Sequence, residues 1–184
     1  MPATKDVIDI LKEQHAHIRA LFEQVHTAQG NADKQVAFEE LRRYLAVHET
    51  AEELVTHPGT RAGEGGDEVA DARLEEEDRA KEMLSRLDDL DVAGEDFDIL
   101  LVELEQAVLA HADAEEAREV PLLQSQCDEE DLIRMATALK AVEEIAPTHP
   151  HPHVGSSMKQ QLMAGPLASV LDRTRDAVTR ALRG

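Results

Sequence analysis

Tryptophan is absent from this 184-residue chain, tyrosine occurs once and phenylalanine three times. The apolar residues are mainly leucine, alanine and valine. That composition suits helix packing better than a sheet core, so an all-α fold is expected. Cysteine occurs once, at Cys127, which excludes an intramolecular disulfide. No apolar run approaches the roughly 20 residues needed to cross a bilayer. The opening MPATKDVIDILKEQ has neither the basic n-region nor the apolar h-region of a secretory signal. Basic residues are also few: 19 Lys and Arg stand against 39 Asp and Glu, a net charge of −20. Such a chain repels a phosphate backbone and an anionic membrane surface alike. The expectation is a cytoplasmic protein, monomeric or weakly dimeric, with no nucleic-acid partner and no membrane span. Its length suits one core with a short extension rather than two independent domains.

Four long segments carry apolar positions at alternating steps of three and four, the stripe of a helix packed on one face. The first, over about 4–28, runs through Val7, Leu11, His15, Ile18, Phe22 and Val25 and ends at the turn pair Gly30-Asn31. The second, about 32–56, carries Leu41, Leu45, His48, Glu52 and Val55, before His57-Pro58-Gly59 and the run GEGG break it. The third, about 67–91, passes through Ala70, Leu74, Glu77, Ala80 or Lys81, Leu84 and Leu87. The fourth, about 95–123, carries Phe97, Leu101, Leu104, Val108, His111, Glu115 and Leu122. Links this short imply antiparallel neighbours and an up-down-up-down four-helix bundle.

Beyond Cys127, Asp128 with Asp131 can cap a fifth helix bearing Leu132, Met135, Leu139, Val142 and Ile145. PTHPHPH cannot be helical and reads as an extended strap. A last amphipathic helix, about 166–183, carries Leu167, Val170, Leu171, Ala177 and Val178 opposite arginines. Its apolar face must be covered by the bundle, by another subunit or by lipid, and the bundle is the preferred reading.

Several stripe positions hold groups that are costly to bury: His15, His48 with Glu52, Glu77, and His111 with Glu115. Burying one carboxylate in an apolar bundle costs several kcal/mol, and three without cations would also repel one another. A metal pair resolves this, since imidazole with carboxylate suits iron, manganese or zinc, and residues four apart share a helix face. An internal repeat supports it. H-x-x-A-E-E occurs as HETAEE from His48 and as HADAEE from His111, each late in a helix that ends near a proline. His15 lies 33 residues before His48, and Glu77 lies 34 before His111. The chain thus reads as two helical hairpins, with Glu77 equivalent to His15.

In order and spacing, His15, His48, Glu52, His111 and Glu115 resemble the motif of the hemerythrin-like proteins, the hemerythrin HHE cation-binding domain. That motif has one His on the first helix, H-x-x-x-E on the second, one His on the third and H-x-x-x-E on the fourth. The resemblance covers about residues 5–125. It implies a bundle over 1–125 with two iron ions joined by an oxo or hydroxo bridge, and an extension over 126–184 packed on it. Glu52 and Glu115 would bridge; His15, His48, His111 and Glu77 would be terminal ligands. The departure is Glu77, which stands where the family has its third-helix His. Anionic oxygen donors favour ferric iron. The substitution therefore works against reversible oxygen carriage and toward consumption of oxygen or peroxide. A second third-helix His of the oxygen carriers is replaced by Lys81, which cannot ligate iron while protonated and is placed to pair with Glu77.

Further residues lie near this set. Glu53 and Glu116 read as hydrogen-bond acceptors behind the ligands or as solvated ends of the stripe. Tyr44, one turn before His48, reads either as a hydrogen-bond donor near the metals or as half-buried packing. His57 stands just before a proline where family members often have Tyr. His17 and His26 read as surface groups, and Cys127 has no base nearby in sequence. His149, His151 and His153 alternate with prolines, as a strap would. Four functions follow: redox chemistry on hydrogen peroxide, dioxygen or nitric oxide, led by a catalase- or peroxidase-like version; a sensing module without turnover; iron storage; or a bundle whose polar core is satisfied internally.

Overall fold

The computed structural model describes residues 5–144 and 146. The strap and the last amphipathic helix lie outside the described residues, as does Ile145. Helices α1 (Val7–Thr27), α2 (Asn31–Leu54), α4 (Gly66–Asp88) and α5 (Glu95–Ala114) form the four long arms, and among the described residues there is no strand. A short helix, α3 (Thr56–Arg61), joins α2 to α4. Helix α5 continues through a π-helical segment, Glu115–Glu119, into α6 (Val120–Gln126), and α7 (Glu129–Glu143) follows.

The helix starts are chemically marked. Asp6 caps α1 by accepting from the Asp9 N–H at 2.9 Å, and Asp128 caps α7 by accepting from the Asp131 N–H at 2.9 Å. Gly30, at φ +100°, turns the chain into α2. Helix α2 stops three residues earlier than Pro58 suggests. The break falls at Val55, and His57-Pro58-Gly59 lies inside α3. Proline is tolerated there because first-turn N–H groups have no helical acceptor. Gly66 then permits the tight junction of α3 with α4, since a Cβ on it would lie 1.9 Å from the Thr60 carbonyl oxygen.

The fourth arm is not the one continuous α-helix that the stripe implies. Pro121 lacks an N–H and its ring crowds the carbonyl four residues back. The turn before it is widened, and the Val120 N–H donates to the Glu115 carbonyl five residues earlier. The extra residue leaves both Glu115 and Glu119 buried.

Two apolar clusters hold the bundle. One gathers the late part of α1, the early part of α2, the late part of α4 and the early part of α5. Within it Phe22, Phe38 and Phe97 are 0–2% exposed, and the Phe38 and Phe97 rings meet edge to face at 5.0 Å. This pairing of late with early segments is what antiparallel arms require. The other cluster joins the start of α1, the end of α2, α6 and α7 through Leu11, Val55, Leu123, Met135 and Leu139. Helix α7 therefore shares its core with α1 and α2. The stripe residues Leu74 and Leu122 are only half-buried; Arg73 and Leu123 beside them are buried instead.

Leu139→Ala should destabilise the fold by about 2–5 kcal/mol, because it truncates a fully buried side chain between α7 and the arms. Urea denaturation followed by circular dichroism measures this; a loss under about 0.5 kcal/mol would mean that α7 packs loosely.

Candidate metal centre

Between the two apolar clusters lies a belt of ionisable groups. Helix α1 supplies His15 one turn after Leu11; α2 supplies His48, Glu49 and Glu52 between Leu45 and Val55; α4 supplies Glu77; α5 and the π segment supply His111, Glu115 and Glu119. His15, His48, Glu49, Glu52, His57, Glu77, His111, Glu115 and Glu119 are all at most 8% exposed. All six residues marked by the repeat and the motif are therefore buried in one place.

Ligating atoms of His15, His48, Glu52 and Glu115 lie within 4.8 Å of one another, as do those of Glu52, Glu77 and His111. A third such group is His57, Glu115 and Glu119. His15 Nε2 is 3.2 Å from Glu115 Oε2 and 3.9 Å from Glu52 Oε1. His48 Nε2 is 3.3 Å from Glu52 Oε2, and His111 Nε2 is 3.4 Å from Glu115 Oε1.

The three histidines share one pattern. Each turns Nδ1 outward to an acceptor: His15 to Glu116 at 2.9 Å, His48 to the Gln14 side-chain oxygen at 2.8 Å, and His111 to Glu76 at 3.0 Å. Each then directs Nε2 inward. An outer acceptor on one ring nitrogen is how proteins orient a metal-ligating imidazole. Glu116 thus serves as the expected acceptor, whereas Glu53 instead accepts from Lys81 at 2.5 Å.

His57 differs. Nδ1 donates to Glu119 at 3.0 Å and Nε2 to Glu77 at 2.5 Å, while the Thr60 hydroxyl donates to Glu119 at 2.5 Å. Glu77 is also 3.4 Å from Lys81 Nζ, the pair expected from the sequence. Tyr44 is half-buried, its ring stacked 6.5 Å from that of His48 and edge-on to His17 at 4.7 Å. His17 and His26 are exposed, the latter bonded to Glu105 at 2.9 Å.

The donor set fits a cation. Both side-chain oxygens of Glu52, Glu115 Oε2, His15 Nε2 and His111 Nε2 are buried and make no hydrogen bond. Orphaned buried carboxylate oxygens are costly, and a metal ion satisfies several at once. The electrostatics tell the same story. Burial pushes the Glu52 carboxyl up to about 8, and Glu115 beside it adds to the shift. Burial alone would lower His15, yet Glu115 and Glu52 raise it to about 10. Burial, helped by His15, takes His48 down to about 3, so its imidazole is neutral. Burial also drives the Glu49 carboxyl well above the usual carboxylate range, against the opposing charge of Lys81.

Gln14, Glu49, Glu76 and Glu119 belong to the site but were not singled out in the sequence. Glu119 had a signal, four residues after Glu115, that the proline obscured. Glu76 sits in the run EEE, which reads as surface, and Gln14 has no spacing signature.

The fold and the belt define a class: a helical bundle with a buried histidine–carboxylate cation site. The model of the hemerythrin HHE cation binding domain family matches residues 6–123, and the chain belongs to that family. It is 30% identical over 138 residues to an uncharacterized hemerythrin-like protein of Schizosaccharomyces pombe, covering 74% of this chain and 68% of that one. The crystal structure of a hemerythrin HHE cation binding domain-containing protein from Mycobacterium kansasii shares the fold. Its TM-score is 0.67 at 18% identity, over 92% of this chain and 99% of that one. Membership implies cation binding, with iron the usual metal. Among the described residues no helix is long and apolar enough to cross a membrane.

His57→Ala should lower the stability of chelator-treated protein by about 1–3 kcal/mol, since Glu77 and Glu119 each lose a buried donor. Thermal or urea denaturation reads this without any contribution from metal.

Proposed function

We propose that the chain holds two iron ions within the belt and uses them on a small molecule, with hydrogen peroxide the leading substrate and dioxygen or nitric oxide the other candidates. The observation that carries this is sharing: Glu52 belongs to two of the close-set groups, with His15 and His48 in one and with Glu77 and His111 in the other. Glu115 reaches toward both His15 and His111 with its two oxygens. Two carboxylates placed to serve two centres are what a pair of ions requires. In this reading His15 and His48 are terminal ligands on one side, Glu77 and His111 on the other.

Iron there would supply the two electrons, one per ion, that cleavage of an O–O bond takes up. Disproportionation needs no further reactant, because two molecules of hydrogen peroxide give two of water and one of dioxygen. The chain's own groups are suited to the rest. A void of about 10 Å³, room for one water-sized molecule, is bordered by Ile18, Leu45 and Val108 on its apolar side and by Glu49, Glu77 and His111 on its polar side. A space of that size is open only to a very small ligand and excludes larger substrates. Glu49, whose carboxyl burial keeps protonated more readily than usual, can deliver a proton at the void. Lys81 and His57 hold the Glu77 carboxylate in place by donating to its two oxygens.

Protein isolated without chelators should contain about two iron ions per chain, and either Glu52→Ala or Glu115→Ala should reduce that to one or none, as read by elemental analysis. Iron-loaded protein should consume peroxide faster than the same iron free in solution. A rate no faster would leave the sensing reading, which the bonded path from His48 through Gln14 to α7 favours. Glu49→Gln should keep the metal while slowing turnover by about 10²-fold. Glu77→His should shift the centre toward reversible oxygen uptake, followed by gas exchange under vacuum. If wild-type di-ferrous protein already takes up and releases oxygen intact, the role given to Glu77 is wrong.

A further inference from the structure

We propose that Glu143, on α7, sets the tautomer of His48 by fixing the side-chain amide of Gln14. Gln14 and Glu143 are then positioning residues of the metal centre. The inference rests on the reading of His48 as a ligand.

The three inward-facing histidines do not have equivalent outer partners. His15 and His111 turn Nδ1 toward the carboxylates of Glu116 and Glu76. A carboxylate only accepts, so each ring must keep a proton on Nδ1, and it is the Nε2 proton that leaves when a metal binds. The partner of His48 is an amide, which can both donate and accept. With its oxygen toward His48, Gln14 accepts from Nδ1–H, and Nε2 is left as a donor to metal. With the amide flipped, its NH₂ would donate to Nδ1, the ring proton would move to Nε2, and that nitrogen would face Glu52 as N–H.

Something must select between these two arrangements, and the other end of Gln14 shows what does. Its Nε2 donates to Glu143 Oε1, across a sequence separation of 129 residues. That carboxylate accepts only, so it holds the NH₂ on its own side and the amide oxygen on the side of His48. The order runs from His48 Nδ1–H to Gln14 Oε1, and from Gln14 Nε2–H to Glu143 Oε1. The last member lies at the C-terminal end of α7, outside the four arms that carry the ligands. Docking of α7 therefore does more than cover apolar surface. Thermodynamic linkage adds that whatever α7 contributes to metal affinity, the metal returns to the docking of α7.

The test is Glu143→Gln, which keeps size and packing but removes the property of accepting only. In metal-free protein, imidazole ¹⁵N NMR should find the wild-type His48 proton on Nδ1, with a sizeable fraction moving to Nε2 in the variant. Chelator competition with zinc(II) should find metal bound about 10-fold more weakly by the variant, at an unchanged denaturation midpoint of the metal-free form. Combining Gln14→Glu with Glu143→Gln should restore both readouts, because the carboxylate at position 14 then accepts from His48 while the amide at position 143 donates to it. A wild-type proton on Nε2, or wild-type tautomer and affinity in Glu143→Gln, would overturn the inference. If wild-type protein binds no metal, the function proposed above fails, and the NMR result alone decides the role of Glu143.

Discussion

Glu49, Glu52, Glu77, Glu115 and Glu119 are buried side by side between two leucine-rich clusters, in a chain whose net charge is already −20. Unopposed, these carboxylates would repel one another in a medium that screens poorly. The rest of the architecture answers that constraint. Lys81, His57, His15 and His111 bring positive charge among them. The oxygens those groups leave without a hydrogen bond, above all the pair on Glu52, define where a cation is wanted.

The belt is not symmetric, although the sequence repeat invites a symmetric reading. The His15 and His48 side meets the shared carboxylates with two imidazoles backed by Glu116 and Gln14. On the other side Glu77 takes hydrogen bonds from His57 and Lys81, so its oxygens are already partnered, unlike those of Glu52. A carboxylate oxygen has a second lone pair, and Glu77 can still face a cation, but one shared with two positively charged neighbours. The small void opens on this same side.

Helix irregularities do much of the positioning. Pro58 fits inside α3 and brings His57 and Thr60 under the belt, where both bond Glu119. Pro121 widens the turn before it into the π segment that carries Glu115 and Glu119 inward together.

The order of the candidate ligands could be read from the sequence alone, because periodicity of 3.6 places His15, His48, Glu52, Glu77, His111 and Glu115 on apolar stripes, and a group costly to bury declares itself against such a background. The caps Asp6 and Asp128 are local and act through their own neighbouring N–H groups, so they too depend on few residues. Tertiary structure alone decided the partners. Glu76 stands 35 residues from His111, Glu116 stands 101 from His15, and Glu143 stands 129 from Gln14. No pattern in a single chain encodes such pairings, since a glutamate on a helix face looks the same to periodicity whether it meets water or an imidazole. Which of the many carboxylates are silent surface and which orient the centre depends on how the helices cross, and that is settled by packing.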